Sequence, residues 1–177
     1  MSSMRSHLPA ALLLCAVVIL ASAGTLLAQA KPGCAAPEYH QFDFWIGDWT
    51  VTDPHGNAAG TNRIERILDG CVLQEHWVGA KGGGGTSLNM WDATDGRWHQ
   101  VWMDVSGGML QLKGKLEGSS MVMSGEHPTR GGAGGVTIER ITWTPLAGGN
   151  VRQLWESSGD GGATWTTQFD GTYVRRP

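Results

Sequence analysis

The segment QFDFWIGDWTV, residues 41–51, concentrates aromatic side chains far more than the rest of the chain does. Four of the eight residues at positions 42–49 are aromatic, although aromatic residues make up only 8% of the 177-residue sequence. Such a density is typical either of a binding site or of an aromatic plug in a core. Residues 37–45 suit a short helical turn, and we expect this turn to run into the first strand near Trp49.

Ten short runs rich in Trp, Val, Ile, Leu and Thr follow, each bounded by Gly, Asp or Asn, and they predict an all-β domain. The predicted strands are residues 49–53, 60–68, 71–78, 86–92, 98–105, 109–116, 121–126, 136–144, 151–157 and 164–174. Most connections are too short for a parallel crossover, so successive strands are expected to be antiparallel neighbours. A meander of about ten strands hides its edges most simply as an up-and-down barrel, with a two-sheet sandwich as the alternative.

Residues 1–30 have the three parts of a secretory signal peptide. Arg5 provides the positive start, residues 8–20 the apolar stretch, and Ala28-Gln29-Ala30 a small-residue cleavage site. A cut after Ala23 and a retained membrane anchor are the alternatives. The signal predicts a secreted or periplasmic protein with no membrane span after its removal.

Two cysteines follow the predicted signal, Cys34 in an N-terminal arm (residues 31–41) and Cys71 in the barrel domain (residues 42–177). Disulfides persist in an oxidising compartment, so we expect the two to pair, which would stabilise the fold by roughly 3–4 kcal/mol. Lipidation of Cys34 and two unrelated thiols are the alternatives. Acidic residues outnumber basic ones, 16 to 13, without any basic run, and this excludes nucleic acid as a predicted partner.

Strand alternation places Trp and uncharged or acidic polar residues on the same face of several strands. Trp has the most apolar area to bury, so we expect this face to point inward. The residues predicted to bind a ligand are Glu75, Trp77, Asn89, Gln100, Trp102, Gln153 and Trp155. An apolar wall with a few placed polar groups is typical of small-molecule pockets. The alternative is a filled barrel whose polar groups satisfy one another.

The sequence assigns no catalytic residues, no metal site and no cofactor. Glu75 with Asp104 is the nearest candidate for an acid and base, since no nucleophile motif is present. The histidines that follow the predicted signal, which are His40, His55, His76, His99 and His127, lack the spacing of a metal-ligand set. Haem ligation by His76 or His99 is a weaker alternative.

Two glycine-rich segments, residues 81–85 and 130–135, predict loops at the barrel rim. If the barrel is filled, such loops suggest an envelope interaction or structural protein that meets a partner through them. No protein partner can be named from the sequence.

The segment SGDGGATW, residues 158–165, matches the Asp-box pattern that sialidase-like propellers repeat. It occurs once here, and it predicts a hairpin in which Asp160 bonds turn amides and Trp165 packs beneath the turn.

The triplet Gly47-Asp48-Trp49 resembles the Gly-x-Trp signature of lipocalins and the wider calycin group. A broader resemblance, to a calycin-like family of bacterial secreted proteins of unknown function, is carried by FDFWIGDW, GCVLQEHW, GRWHQVWMD and DGGATWTTQFDGTYVRR. It implies a barrel in which Trp49 packs across a closed end. Nitrobindin-type barrels, which hold haem, are also similar, but the final strand region contains no His.

With this resemblance, the opening segment is interpreted as a closure. Phe42, Phe44 and Trp45 would cap one end, Gly47 would let the chain turn into the first strand, and a ligand would enter at the opposite rim. The sequence therefore predicts a secreted or periplasmic, lipocalin-like barrel that binds a small, partly apolar molecule. An interaction or structural protein with a filled barrel is the alternative, and an enzyme or haem binder a weaker one.

Overall fold

The structure is a computed structural model that describes residues 33–129 and 134–176. The predicted signal peptide and part of the predicted rim loop at residues 130–135 lie outside the described residues. Ten antiparallel strands make up nearly all of the regular structure. They are β1 (Gly47–Thr52), β2 (Ala58–Ile67), β3 (Val72–Gly79), β4 (Gly84–Asp92), β5 (Arg97–Asp104), β6 (Met109–Glu117), β7 (Ser120–Pro128), β8 (Val136–Pro145), β9 (Val151–Ser158) and β10 (Thr166–Arg175).

Each strand pairs with its neighbours in the chain, and β1 also pairs with β10, so the sheet closes into a barrel. The predicted all-β, ten-stranded antiparallel up-and-down barrel is therefore confirmed, and the sandwich is excluded. The predicted strands agree with the observed ones to within about two residues at each end. One local prediction is wrong, since Gly84 and Gly85 of the expected loop at 81–85 belong to β4.

Helix among the described residues is limited to four short 3-10 turns, at Pro37–His40, Asp43–Trp45, Leu68–Gly70 and Ala147–Gly149. The predicted helical turn at residues 37–45 thus consists of two separate turns. None of the described helices has the length and apolar character needed to cross a membrane.

A disulfide joins Cys34 to Cys71, with the two Cα atoms 5.1 Å apart, as predicted. Arg66 on β2 adds a second link, because its guanidinium donates to the Tyr39 carbonyl at 3.3 Å and pairs with the Asp43 carboxylate. These contacts attach the N-terminal arm, and the helical turn that follows it, to the barrel where β2 meets β3. The arm is thereby positioned to deliver the following aromatic residues into the end of the barrel.

Five aromatic residues fill that end and are here called the floor: Phe42, Trp45, Trp49, Trp98 and Trp143. Each is at most 1% exposed. Phe42 stacks on Trp45 at 4.9 Å between ring centroids and meets Trp98 and Trp143 edge-on at 5.6 and 5.2 Å. The Trp49 indole N–H donates to the Trp45 carbonyl at 2.9 Å. Interlocked rings of this kind leave no room for a ligand at this end.

Gly47 and Arg175 explain how the chain enters β1 beside the floor. Gly47 has a φ of 147°, and a Cβ atom there would meet the guanidinium of Arg175. That guanidinium lies over the Trp49 ring, 4.5 Å from its centroid, a cation–π contact. Phe44 is half-buried and packs against the same cluster. A side chain at position 47 would therefore displace the cation that covers Trp49.

Candidate functional site

Four aromatic residues surround the other end of the barrel and are here called the collar: Trp77, Trp102, Trp155 and Phe169. They come from β3, β5, β9 and β10. All four are half-buried, in contrast to the floor. Trp77 and Phe169 meet edge-on, with ring centroids 5.7 Å apart. The collar therefore forms an apolar wall that remains partly accessible.

Glycines make space for three of the collar rings. A Cβ atom on Gly60 would lie 2.7 Å from the Trp77 ring, and Cβ atoms on Gly85 and Gly171 would meet the rings of Trp102 and Phe169. These rings can therefore lie flat against the barrel wall. A larger residue at any of the three positions would push a ring toward the barrel axis.

The space left between the rings is a cavity of about 170 Å³. An apolar cavity of roughly 150 Å³ is large enough to hold benzene. The residues that line the cavity are Glu75, Trp77, Gln100, Trp102, Leu110, Ile141, Gln153, Trp155, Gln168, Phe169 and Tyr173. The lining thus combines aromatic and aliphatic walls with a small number of polar side chains.

Glu75 is the centre of a buried hydrogen-bond network below the collar. Its two carboxyl oxygens accept from Asn62 Nδ2 at 2.7 Å and Ser87 Oγ at 2.6 Å. Asn89 Nδ2 donates to Ser87 Oγ at 2.9 Å, and Gln100 Nε2 donates to Asn89 Oδ1 at 2.7 Å. Burial raises the pKa of the Glu75 carboxyl, while the bonds from Ser87 and Asn62 oppose that effect in part.

Tyr173 and Gln153 form the polar wall on the β9–β10 side. The Tyr173 hydroxyl donates to Gln153 Oε1 and accepts from Asn62 Nδ2 at 3.4 Å. Burial, and then the nearby charge of Glu75, raise the pKa of Tyr173 well above its usual value, so it remains a neutral phenol. Its bonds join the β9–β10 wall to the Glu75 network.

Two amide atoms of the lining have no partner among the described residues, Gln100 Oε1 and Gln153 Nε2. Both atoms retain some solvent accessibility, whereas the unpaired Asn62 Oδ1 is fully buried. One acceptor and one donor are therefore left to face the cavity.

Glu139 at the rim holds Trp155 in place. Its carboxylate accepts from the Trp155 indole N–H at 2.6 Å and bonds His127 Nε2 at 2.9 Å. Glu139 and Asp104 line a wider depression that adjoins the cavity at Trp102, Leu110, Trp155 and Gln168. The rim thus adds carboxylates near the cavity mouth.

Glu75 and Asp104, the candidate acid–base pair, share no hydrogen bond, and they line two different, adjoining hollows. Asp104 Oδ1 accepts from the backbone amides of Ser106 at 2.8 Å and Gly108 at 3.0 Å, in the turn after β5. Hydrogen bonds from Ser106, then Gly108, lower the pKa of Asp104. Asp104 therefore stabilises a rim turn, while Glu75 lies in the cavity wall.

The histidines that could have bound haem lie on the outer face of the barrel. His76 is exposed and 3.4 Å from Glu65, and His99 bonds Asp95 at 2.9 Å. Asp92, Asp95 and His99 do place potential ligand atoms within 4.8 Å of one another. Lys113 already lies 3.3 Å from Asp95, and Asp92 caps the Thr94 amide at 2.8 Å. These contacts indicate that the three side chains stabilise the hairpin turn between β4 and β5.

All the residues predicted to bind a ligand except Asn89 line the cavity. Asn89 is fully buried and acts behind the wall, through Ser87 and Gln100. Sequence reasoning missed Phe169 and Tyr173, which share the inward face of β10 with Gly171. It also missed the apolar residues Leu110 and Ile141, whose alternation within β6 and β8 would have placed them inward.

The Asp-box hairpin between β9 and β10 is held by its own side chains. Asp160 accepts from the Thr164 amide at 2.9 Å and from its hydroxyl at 2.6 Å, and these bonds lower the pKa of Asp160 well below its usual value. The Trp165 indole donates to the Gly162 carbonyl at 3.0 Å, and Arg140 lies 3.8 Å over its ring. The contacts made by Asp160 and Trp165 therefore stabilise the turn, which explains the Asp-box pattern as a structural feature.

Comparison with known proteins gives no match to a protein-family model and none to a curated protein. The family resemblance read from the sequence therefore remains a prediction.

Proposed function

We propose that this protein is a secreted or periplasmic, lipocalin-like barrel that binds a small, partly apolar molecule inside the collar. The observation that carries the proposal is the cavity of about 170 Å³ between the collar rings. Its walls are apolar, and its polar groups converge from several strands, which is the usual construction of a small-molecule site. The unpaired atoms Gln100 Oε1 and Gln153 Nε2 would orient a ligand by hydrogen bonding.

The site is also preorganised. Glu75, Asn89 and Gln100 hold one another by hydrogen bonds, and Glu139 fixes the Trp155 ring from the rim. A ligand would then lose little affinity to the ordering of side chains.

Secretion is supported by two independent features. Residues 1–30 have the pattern of a signal peptide, and the Cys34–Cys71 disulfide suits an oxidising compartment. A filled barrel, which would favour a structural or interaction role, is disfavoured by the space between the collar rings.

Isothermal titration calorimetry with three single-ring probes, benzyl alcohol, benzylamine and benzoate, tests this proposal. At least one probe should bind the wild-type protein, and Ile141→Phe should weaken that binding about tenfold or more by filling the cavity. Val101→Phe, on the outer face of β5, is the matched control and should bind as the wild type does. Failure of all three probes to bind would contradict the proposal.

A further inference from the structure

Carboxylates predominate among the charged residues around the cavity, although Lys81, with Asp53 and Asp170, lines a second depression that adjoins it at Trp77, Gln168 and Phe169. Glu75 lines the cavity itself, and Asp104 and Glu139 line the first adjoining depression. The described lining of the cavity contains no Lys, Arg or His, and His127 at the depression is already bonded to Glu139. An anion entering this part of the molecule would approach carboxylates, whereas a cation would approach complementary charge.

Glu75 differs from the acidic residues on the outside of the barrel. Glu65, Glu156 and Asp170 each pair with an arginine, at 2.9, 2.9 and 2.7 Å. Glu75 is bonded only by the neutral groups of Asn62 and Ser87, and no described cation lies within ion-pairing distance of it. A buried carboxylate without a counter-charge is costly, and a cation that reached it would offset that cost.

The collar rings suit the same kind of occupant. The faces of Trp and Phe carry partial negative charge, so they attract a cation or the CH groups next to it, and they also pack against apolar groups. Gln100 Oε1, in the wall of the same cavity as Glu75, supplies a further acceptor. The site therefore combines hydrogen-bond acceptors in its wall with aromatic faces toward the mouth.

From this arrangement we infer that the ligand is a small organic amine that binds as a cation, with its ammonium group toward Glu75 and Gln100 and its apolar part between the collar rings. The inference rests on the proposed function and specifies its ligand class. A cavity close to the size that holds benzene limits the apolar part to one ring or a short branched chain.

Binding of such a cation is linked to the protonation of Glu75. The groups that face Glu75 are Asn62 on β2, Ser87 on β4 and Tyr173 on β10, and of these only Tyr173 titrates, at a pKa raised well above its usual value. At the mouth, the groups that carry or can carry charge are Asp104, Glu139 and His127 on one side and Asp53, Lys81 and Asp170 on the other. Because burial raises the pKa of Glu75, the cation must displace a proton at low pH, and its affinity should increase as the pH rises.

The test compares the affinities of benzylamine, benzyl alcohol and benzoate by calorimetry at pH 7.5 and low salt. These probes share one ring and differ in charge, since benzylamine is a cation at this pH. We expect benzylamine to bind about tenfold more tightly than benzyl alcohol, and benzoate to bind most weakly. The benzylamine preference over benzyl alcohol should decrease as the pH is lowered from 7.5 to 5.

Glu75→Gln should reduce the benzylamine preference toward one, because the amide keeps the shape of the side chain and removes its charge. Glu65→Gln is the matched control, since it removes the same charge from the outer face and should leave the preference unchanged. If Glu75→Gln fails to fold, the ratio of benzylamine to benzyl alcohol affinity in the wild-type protein, and its pH dependence, still test the cation inference.

Equal or tighter binding of benzyl alcohol or benzoate would overturn the cation inference while leaving ligand binding in the cavity intact. An unchanged preference in folded Glu75→Gln would also overturn it. Absence of binding by all three probes would overturn both this inference and the proposed function.

Discussion

The floor and the collar are both built from aromatic residues, yet one is solid and the other surrounds a cavity. In the floor, Phe42 packs against Trp45, Trp98 and Trp143, and each ring fills the space beside the next. In the collar, Trp77 and Trp102 lie against Gly60 and Gly85, so the rings can sit back against the wall, and a cavity of about 170 Å³ remains between them and the other collar rings. The size of the residue behind an aromatic ring therefore helps to decide whether the ring closes a core or lines a pocket.

Truncation of one Trp at each end should give very different losses of stability. Trp49→Ala should lower the free energy of unfolding by about 3–5 kcal/mol, because it empties a packed core and removes the surface that Arg175 covers. Trp77→Ala should cost about 2 kcal/mol or less, because its ring is half-buried and already faces a void. Equilibrium unfolding in urea measures both, and equal losses would contradict the distinction between floor and collar.

Removal of the disulfide that attaches the N-terminal arm beside the floor should lower the free energy of unfolding. The double variant Cys34→Ala/Cys71→Ala should lose roughly 3–4 kcal/mol, because a cross-link over 37 residues restricts the unfolded chain. Chemical denaturation with and without reductant measures this loss, and reductant should affect only the wild type. A loss below about 1 kcal/mol would show that the arm is held mainly by its other contacts.

Enlarging a residue should be tolerated where its side chain lines the cavity and not near the floor. Ile64→Phe should cost about 1–3 kcal/mol, since Ile64 is 2% exposed within the packed core. Ile141 is also buried, at 4% exposed, but it lines the cavity, so Ile141→Phe should cost less than about 1 kcal/mol because the ring has room there. Thermal and urea unfolding of the pair give the comparison, and a larger loss for Ile141→Phe would indicate a filled interior.

Glu75 should give the collar side of the barrel a pH dependence of its own. Its pKa is raised in the folded state, so the folded protein binds this proton more tightly than the unfolded chain does. Its favourable contribution is present at low pH and is lost as the pH rises above the ordinary value of 4.5 toward the folded pKa. Within that window, wild-type stability should fall by up to about 1.4 kcal/mol per pH unit relative to Glu75→Gln. Parallel urea titrations from pH 4 to 8 measure this, and identical slopes would contradict it.

The barrel could be predicted from the sequence because its signals are local. Alternation within strands and short turns rich in Gly and Asp determine antiparallel neighbours, and the two cysteines left after the predicted signal suggested their pairing. The same alternation placed Glu75, Gln100 and Gln153 on the inward face, as the structure does.

The collar required information that a sequence does not state. The space beside Trp102 depends on which residue of β4 lies next to it, and this comes from strand register. A register shift between Thr167 and Phe169 interrupts the inward–outward alternation of β10, so the alternation alone does not identify its inward residues. Asp104 was misleading because it ends β5, where its carboxylate turns back to cap the following loop.

The central claim, that the collar surrounds an accessible void and the floor does not, can be tested without knowledge of the ligand. A cavity with unpaired polar atoms in its wall holds water or ligand, so a high-resolution crystal structure should show ordered solvent or a bound molecule between Trp77, Trp102 and Trp155. No solvent should lie among Phe42, Trp45 and Trp143. Side chains that occupy the space between the collar rings would contradict the central claim and favour a filled barrel.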